Sequence, residues 1–258
     1  QVGNIILANS AGHKEHGIAD MPLDVAVAYS QGFIAYLIEN QLHNVLNENK
    51  IDKNIISIVT QVEVDKNDSA FKNLTKPVGP YYTKEEAEKI MQETGAVFKE
   101  DARGRGWRKV VASPYPLSVQ NANIVESLVR SGNIVIAVGG GGIPVCRDEN
   151  NNIHGVEAVI DKDLASSLLA RTINADEFYI LTDVPKVCIN FNTPEEQTID
   201  KMTVAEAKKH FEDGQFAPGS MGPKVRAAIE YVEATGKEAI ITSIDTLGKE
   251  NSGTKIVL

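Results

Sequence analysis

The chain has 258 residues, of which 42% are hydrophobic and 24% charged, a composition typical of a globular protein with a sizeable core. Its net charge of −9 argues against a nucleic-acid partner, because binding phosphate backbones needs clustered lysine and arginine. The sequence contains no apolar run long enough to span a membrane and no signal peptide, and its two cysteines, Cys146 and Cys188, lack metal-binding spacing. We therefore expect a cytoplasmic protein with no membrane partner.

The N-terminal part of the chain combines a long helical pattern with a buried strand pattern. Apolar residues recur at three- and four-residue spacing from Pro22 to Glu48, which predicts one amphipathic helix, interrupted at Ser30-Gln31-Gly32. The β-rich run Ile55–Val64 predicts a single buried central strand. The chain starts at Gln1 without a methionine and enters an apolar run directly, so we expect a segment upstream of it.

Residues Asp65–Lys109 are polar and rich in turn-forming residues, unlike the segments on either side. Thr83 and Glu86 form a capping box, which predicts a helix over Lys84–Glu93. We interpret this segment as an excursion from the main sheet, either a small protruding subdomain or a lid. Lys76 lies in it between a threonine and a proline and is a candidate site residue, although a solvated lysine is the ordinary alternative.

A regular alternation of helix and strand patterns follows and predicts an α/β fold with a mainly parallel sheet covered on both faces. Thr203 and Glu206 form a second capping box. The predicted helices cover Asn121–Arg130, Lys162–Ile173, Thr203 to near Gly214, and Lys224–Ala234. The predicted strands cover Ile134–Val138, Phe178–Val184, Glu238–Thr242 and, as an edge strand, Thr254–Leu258.

Four consecutive glycines, Gly139, Gly140, Gly141 and Gly142, follow the strand pattern of Ile134–Val138. Glycine loses the most conformational freedom on folding, so such a run is costly unless the backbone approaches another group closely. Free N–H groups in a loop of this kind are suited to binding an anion. A tight turn packed against a neighbouring helix is the alternative that needs no ligand.

The segment VIDKDLA, residues 159–165, predicts a second short strand that ends at three charges before a helix. Asp161 is placed to cap this helix, and Lys162 and Asp163 lie in its first turn. The helix dipole disfavours a cation at this end. An anionic ligand is therefore the better explanation for Lys162.

Three segments are predicted at the carboxyl ends of strands, where ligands bind in sheets of this type: Gly139–Gly142, Thr182–Val184 and Gly219–Lys224. The last of these opens a helix with glycines and a lysine, although its spacing is not that of a P-loop. Together with Lys162 and Asp163 they supply two lysines, a carboxylate and many backbone donors. Such groups suit phosphoryl transfer, in which catalysis is mostly positioning and charge neutralisation.

Seven strings occur along the chain in a characteristic order and spacing: SQGFIAYLI, TKPVGPYY, GRGWRKVVASP, GGGGIPV, VEAVIDKDLAS, ILTDV and GSMGPKV. They resemble the carbamate kinases of the amino acid kinase superfamily over essentially the whole chain, and TKPVGP and GRGWR are typical of this branch. The resemblance implies one kinase domain over residues 1–258 with a three-layer α/β/α sandwich and a protruding subdomain over residues 65–109. It also implies a cytoplasmic homodimer that uses ATP or ADP with Mg²⁺, the ion being held mainly by the nucleotide phosphates rather than by protein ligands.

The resemblance implies a reversible reaction, ATP with carbamate to ADP with carbamoyl phosphate, often run toward ATP as in arginine fermentation. Lys162 and Lys224 are expected to neutralise phosphates, Asp163 to orient these lysines, and Lys76 to reach the carbamate end from the subdomain. Gly139–Gly142 are expected to bind substrate or phosphate. The residues expected to border the nucleotide are Thr182, Asp183, Val184, Phe191, Met221 and Gly222.

The chain departs from the family pattern at its front. Family members carry Gly-Gly-Asn and His-Gly-Asn-Gly-Pro loops before the Gln-Val-Gly that opens this sequence, and we expect both upstream of Gln1. Three alternatives follow: a carbamate kinase given without its N-terminal segment, a truncated relative that keeps only nucleotide binding, and a sister kinase of an amino acid or UMP. The motifs TKPVGP and GRGWR favour the first over the third.

Overall fold

The computed structural model describes residues 1–101 and 104–258, which divide into two compact units, residues 1–162 and 163–258. Both units combine helices with strands, and parallel strand pairs occur in each, so the predicted α/β class is confirmed. Among the described residues, no helix is both long and apolar enough to cross a membrane.

The first unit begins with two helices, α1 (Val2–His16) and α2 (Leu23–Glu48). α2 covers the predicted helical region and continues without a break through residues 30–32, where Ser30 Oγ donates to the Val27 carbonyl at 2.7 Å. The remaining elements of this unit are β1 (Ile55–Ser57), β2 (Gln61–Val64), β3 (Lys76–Tyr82), α3 (Lys84–Thr94), β4 (Phe98–Glu100), β5 (Trp107–Val111), β6 (Pro116–Val119), α4 (Ala122–Arg130), β7 (Ile134–Ile136), β8 (Ile143–Arg147) and β9 (Ile153–Gly155).

The prediction of one strand over Ile55–Val64 is wrong, because this run forms β1 and β2 in different sheets. β1 pairs in parallel with β7, and β2 pairs in parallel with β8 in a sheet of order β6-β2-β8-β9. Hydrogen bonding continues across the interruption, since Ile58 N–H donates to Ile136 O at 2.9 Å and Ile143 N–H donates to Thr60 O at 2.8 Å. The regular strand pairing of β1 with β7 and of β2 with β8 is therefore interrupted where the glycine run lies between β7 and β8.

Residues within the predicted subdomain form an antiparallel sheet of order β3-β5-β4. α3 follows β3, and its capping box between Thr83 and Glu86 is present as predicted. Tyr82 and Phe98 pack edge to face, with ring centroids 5.4 Å apart. The wider boundary, residues 65–109, stays a prediction, and Ala102 and Arg103 inside it lie outside the described residues.

The second unit is built on a sheet of order β10-β14-β15-β13. Its elements are α5 (Lys162–Thr172), β10 (Phe178–Thr182), β11 (Val187–Ile189), β12 (Gln197–Ile199), β13 (Lys201–Thr203), α6 (Val204–Glu212), α7 (Met221–Thr235), β14 (Ala239–Ser243) and β15 (Thr254–Val257). β10 and β14 are parallel, and every residue of β14 is buried. The capping box between Thr203 and Glu206 begins α6 as predicted.

Three predictions about the C-terminal half of the chain are wrong. The C-terminal strand is not an edge strand, because β15 lies between β14 and β13 with Thr254 and Ile256 fully buried. The segment before α5 forms only an isolated bridge, Ala112 to Ala158, instead of a second strand. α7 begins at Met221 rather than at Lys224, since Pro is accepted within a first helical turn, whose N–H groups lack partners in the helix.

Candidate active site

The glycine loop, defined here as residues 138–142, is closed largely on itself. Three of its N–H groups donate to nearby carbonyls: Gly139 to Ala137 O at 2.7 Å, and Gly141 and Gly142 to Val138 O at 3.1 and 2.6 Å. These three N–H groups already have acceptors near the loop, and the assignment of Gly139–Gly142 to an anion stays a prediction.

Gly140 differs from the other three glycines in its surroundings. An added Cβ would lie 2.7 Å from Gln31 Cγ at position 139, 2.3 Å from Ile160 O at position 141, and 2.1 Å from a Val62 methyl at position 142. At Gly140 it would meet nothing within 4 Å, and the backbone φ there is not positive. Packing thus requires three of the glycines, while Gly140 is exposed and leaves room for a ligand.

Lys76 and Asp161 form an ion pair next to the glycine loop. Lys76 is the first residue of β3, and its Nζ lies 2.7 Å from Asp161 Oδ2. The Asp161 carboxylate is mostly buried, whereas the lysine keeps about a third of its side-chain exposure (31%). Gly141 sits against the backbone of residues 160 and 161. The first unit therefore brings the predicted Lys76 together with the predicted loop, and Asp161, expected only as a helix cap, is the lysine's partner.

The second unit contains a buried ion pair between Lys224 and Asp163. Their Nζ and Oδ2 atoms are 2.8 Å apart, and the side chains are only 10% and 9% exposed. Lys224 is the fourth residue of α7, where the helix dipole disfavours a cation, while Asp163 is in the first turn of α5, where it favours an anion. The carboxylate holds the buried ammonium in place. The exposed Lys162 is the residue next to it in the chain.

The predicted nucleotide-binding residues lie at three places in this unit: the end of β10, the start of α7 and the loop between β11 and β12. Thr182 ends β10, in register with Ser243 at the end of β14, and its hydroxyl donates to the Asp183 carboxylate at 3.0 Å; Val184 follows. Met221 and Gly222 begin α7, and the N–H of Gly222 donates to Ala217 O at 2.9 Å.

Phe191 stands in the loop between β11 and β12 with 62% of its surface exposed. An exposed aromatic ring of this kind has a free face on which a planar base can stack.

Two buried polar residues beneath the glycine loop, Gln31 and Thr60, were not predicted. Gln31 lies in the Ser30-Gln31-Gly32 interruption of the apolar helix pattern, and Thr60 lies inside a run interpreted as one strand. A polar residue in each of these apolar patterns is the only signal in the sequence. Among the described residues, no group of three or more His, Cys, Asp or Glu side chains is arranged to hold a metal ion.

Comparison with known proteins gives consistent matches. The profile of the amino acid kinase family matches residues 6–243. Carbamate kinase 1 of Enterococcus faecium is 50% identical over 258 residues, which is 100% of this chain and 81% of that protein. Carbamate kinase of Pyrococcus horikoshii is 50% identical over 245 residues, 95% of this chain and 77% of that protein.

A solved structure, carbamate kinase from Giardia lamblia bound to AMP-PNP, matches with a TM-score of 0.88 and 47% identity, covering 100% of this chain and 81% of that one. These matches extend over nearly the whole chain, and their identities are far above those at which only a fold is shared. They therefore show the family relationship independently of any single motif. The chain belongs to the amino acid kinase family, within which it is a kinase of the carbamate kinase branch.

Proposed function

We propose that this protein catalyses reversible phosphoryl transfer between ATP and carbamate, giving ADP and carbamoyl phosphate. The observation that carries the proposal is the buried Lys224–Asp163 pair, with Lys162 adjacent in the chain. A lysine kept buried at a helix N-terminus is unfavourable in itself, and phosphoryl transfer is a reaction that needs such a fixed positive charge.

In the direction of ATP formation, a β-phosphate oxygen of ADP attacks the phosphorus of carbamoyl phosphate. The bond between phosphorus and the carbamate oxygen breaks, and carbamate leaves as an anion. No proton has to be moved at the acceptor oxygen or at the leaving oxygen, so no general base is required. Asp163 therefore acts by orienting Lys224, while Lys162 and Lys224 neutralise the charge that the phosphoryl group carries.

The two ends of the substrates are assigned to different residues. Lys76, held by Asp161 beside the glycine loop, is proposed to contact the carbamate end, and the exposed Gly140 to face the phosphate of carbamoyl phosphate. Thr182, Asp183, Val184, Phe191, Met221 and Gly222 are proposed to border the nucleotide. Mg²⁺ is proposed to be held mainly by the nucleotide phosphates. Phosphate oxygens commonly supply part of the coordination of Mg²⁺ in enzymes that use nucleotides.

Further parts of the proposal concern the whole protein. A homodimer is supported by exposed aromatic side chains on α2, namely those of Tyr29, Phe33 and Tyr36, and light scattering after gel filtration tests it. The presence of the two additional loops upstream of Gln1, the cytoplasmic location and the role in arginine fermentation stay predictions. The first of these is tested by reading the natural open reading frame.

The test of the reaction is ATP formation from carbamoyl phosphate and ADP with Mg²⁺, measured by luciferase on the product of the complete open reading frame. We expect ATP to form with carbamoyl phosphate, and neither glutamate nor UMP to accept phosphate from ATP. Phosphorylation of glutamate or UMP would favour a sister kinase. Calorimetric binding of ADP without any ATP formation would favour the non-catalytic, nucleotide-binding alternative.

A further inference from the structure

Gln31 of α2 and Thr60, between β1 and β2, form a buried polar pair under the glycine loop. Their exposed fractions are 4% and 2%. Gln31 Nε2 donates to Thr60 O at 3.0 Å, and the Thr60 N–H donates back to Gln31 Oε1 at 2.8 Å. The glutamine thus bonds both backbone groups of Thr60, the last of the three residues, 58–60, that separate β1 from β2.

Both side chains also contact the start of the loop. Thr60 Oγ1 accepts a hydrogen bond from the Val138 N–H at 2.9 Å and donates to Ile58 O at 2.9 Å. The aliphatic part of Gln31 packs so closely on Gly139 that a Cβ there would lie 2.7 Å from its Cγ. A change at either residue therefore reaches the loop directly.

Val138 shows that the loop is held under strain. Its φ of 65° lies in the left-handed region, which a β-branched residue rarely adopts, and its side chain is 1% exposed. Such a conformation persists only where the surrounding contacts determine it. The Val138 N–H is held by Thr60, and its carbonyl accepts from Gly141 and Gly142. Thr60 thus supplies a hydrogen bond that holds this residue from outside the loop.

We propose that Gln31 and Thr60 are positioning residues that hold the glycine loop in the conformation that binds the phosphate of carbamoyl phosphate. This inference rests on the proposed function, because it assigns the loop to that substrate. Neither side chain is proposed to touch the substrate. They act through Val138 and Gly139, and the residue presented to the phosphate is Gly140, whose surroundings leave room for it.

The test compares Thr60→Val, which is nearly isosteric and removes the acceptor, with Thr60→Ser, which keeps it. Hydrogen exchange of the peptide covering residues 138–142 reports on the loop, and steady-state ATP formation reports on the substrates. For Thr60→Val we expect exchange at Val138 to rise, and kcat/KM for carbamoyl phosphate to fall, by roughly tenfold each, the effect of losing one good hydrogen bond. The KM for ADP should change by less than about twofold. In Thr60→Ser, the exchange rate at Val138 and kcat/KM for carbamoyl phosphate should both stay close to those of the wild type.

Tyr231→Phe is the matched control for stability. It removes another buried hydroxyl, whose hydrogen bond to Ala175 O measures 2.7 Å, from a part of the chain with no assigned role in the loop. Equal losses of carbamoyl phosphate affinity in Tyr231→Phe and Thr60→Val would overturn the inference, since both would then act through stability alone. Unchanged loop exchange in folded Thr60→Val would also overturn it.

Gln31→Met removes both side-chain hydrogen bonds to Thr60 and should reproduce the changes seen in Thr60→Val. If it fails to fold, the near-isosteric threonine variants decide the question. A wild-type protein that makes no ATP contradicts the proposed function, while the exchange rates of the loop in the variants still decide whether Gln31 and Thr60 hold it. The two failures are therefore distinguishable.

Discussion

The buried Lys224–Asp163 pair allows the structural and catalytic effects of one lysine to be separated. Lys224→Met keeps most of the side-chain length but removes the ammonium that bonds the Asp163 carboxylate, whose side chain is 9% exposed. Removing one partner of a buried ion pair costs about 3–5 kcal/mol of unfolding free energy. For a chain of this size that corresponds to a lower Tm by roughly 6–20 °C, at about 2–4 °C per kcal/mol.

Removing both charges should have a different outcome. In the double variant Lys224→Met with Asp163→Asn, both charges of the buried pair are removed together, so most of the unfolding free energy should return. A deficit of about 0.3–1 kcal/mol is expected from the loss of an anion in the first turn of α5. Activity should not return, because the positive charge that Lys224 supplies to the phosphoryl group is still absent.

Thermal and denaturant unfolding measure the first effect, and initial rates of ATP formation measure the second. Lys208→Met is the matched control. Lys208 Nζ lies 2.6 Å from Glu233 Oε1, but the two side chains are about half exposed (50% and 44%). This ion pair should therefore contribute less than about 1 kcal/mol to the unfolding free energy. If Lys224→Met is no more destabilising than Lys208→Met, the buried pair does not have the assigned energetic weight. If the double variant regains activity, the catalytic role of Lys224 is refuted.

Two further predictions concern single charged residues. Lys162→Met should lower the rate of ATP formation by roughly 10²–10³-fold while the KM for ADP changes little, and a folded variant with near-normal turnover contradicts this. Hydrogen bonding, chiefly with His154, lowers the pKa of the partly exposed Asp148 carboxyl below its ordinary value of 3.8. The stability that this carboxylate contributes is therefore present above about pH 4 and is lost as the pH falls below that value. Asp148→Asn should flatten the dependence of Tm on pH between about pH 2 and 4. An unchanged slope in this range would contradict the stabilising role of the Asp148 carboxylate.

Local sequence signals predicted the helices α2 to α7 but not α1. The capping boxes at Thr83 and Thr203 begin α3 and α6, because a capping box is formed by residues three positions apart and does not depend on the rest of the fold. Strand arrangement depends on distant partners instead. Apart from the polar Thr60, nothing within residues 55–64 indicates that the strand is divided at residues 58–60. The alternation in Thr254–Val257 fits an inner strand as well as an edge strand.

The same distinction applies to the candidate site. Its charged members were found because they occur in recognisable strings, DKD and GSMGPK, whereas their partners were not predicted as such. Lys76 and Asp161 are 85 residues apart, and Lys224 and Asp163 are 61 apart. Sequence reasoning proposed that Asp163 orients lysines, but it could not choose between them; the structure shows the bond to Lys224. For Asp161 only the local role, a helix cap, was inferred.

Gly140 provides a way to ask whether a ligand approaches the glycine loop at all. Because an alanine Cβ there meets nothing within 4 Å and φ is not positive, Gly140→Ala should leave stability unchanged or raise it by about 0.4–1 kcal/mol. Gly32→Ala, at an exposed position of α2 with equal room for a methyl group, is the matched control and should behave alike in unfolding.

The two alanine variants should differ only toward the substrate. If the phosphate of carbamoyl phosphate rests on the backbone at residue 140, a methyl group there displaces it, so kcat/KM for carbamoyl phosphate should fall by roughly tenfold or more in Gly140→Ala and stay unchanged in Gly32→Ala. The fold gives no reason for glycine at position 140, which makes any loss in a fully stable variant attributable to the ligand. Equal kinetics in the two variants would mean that the loop meets no substrate at this residue.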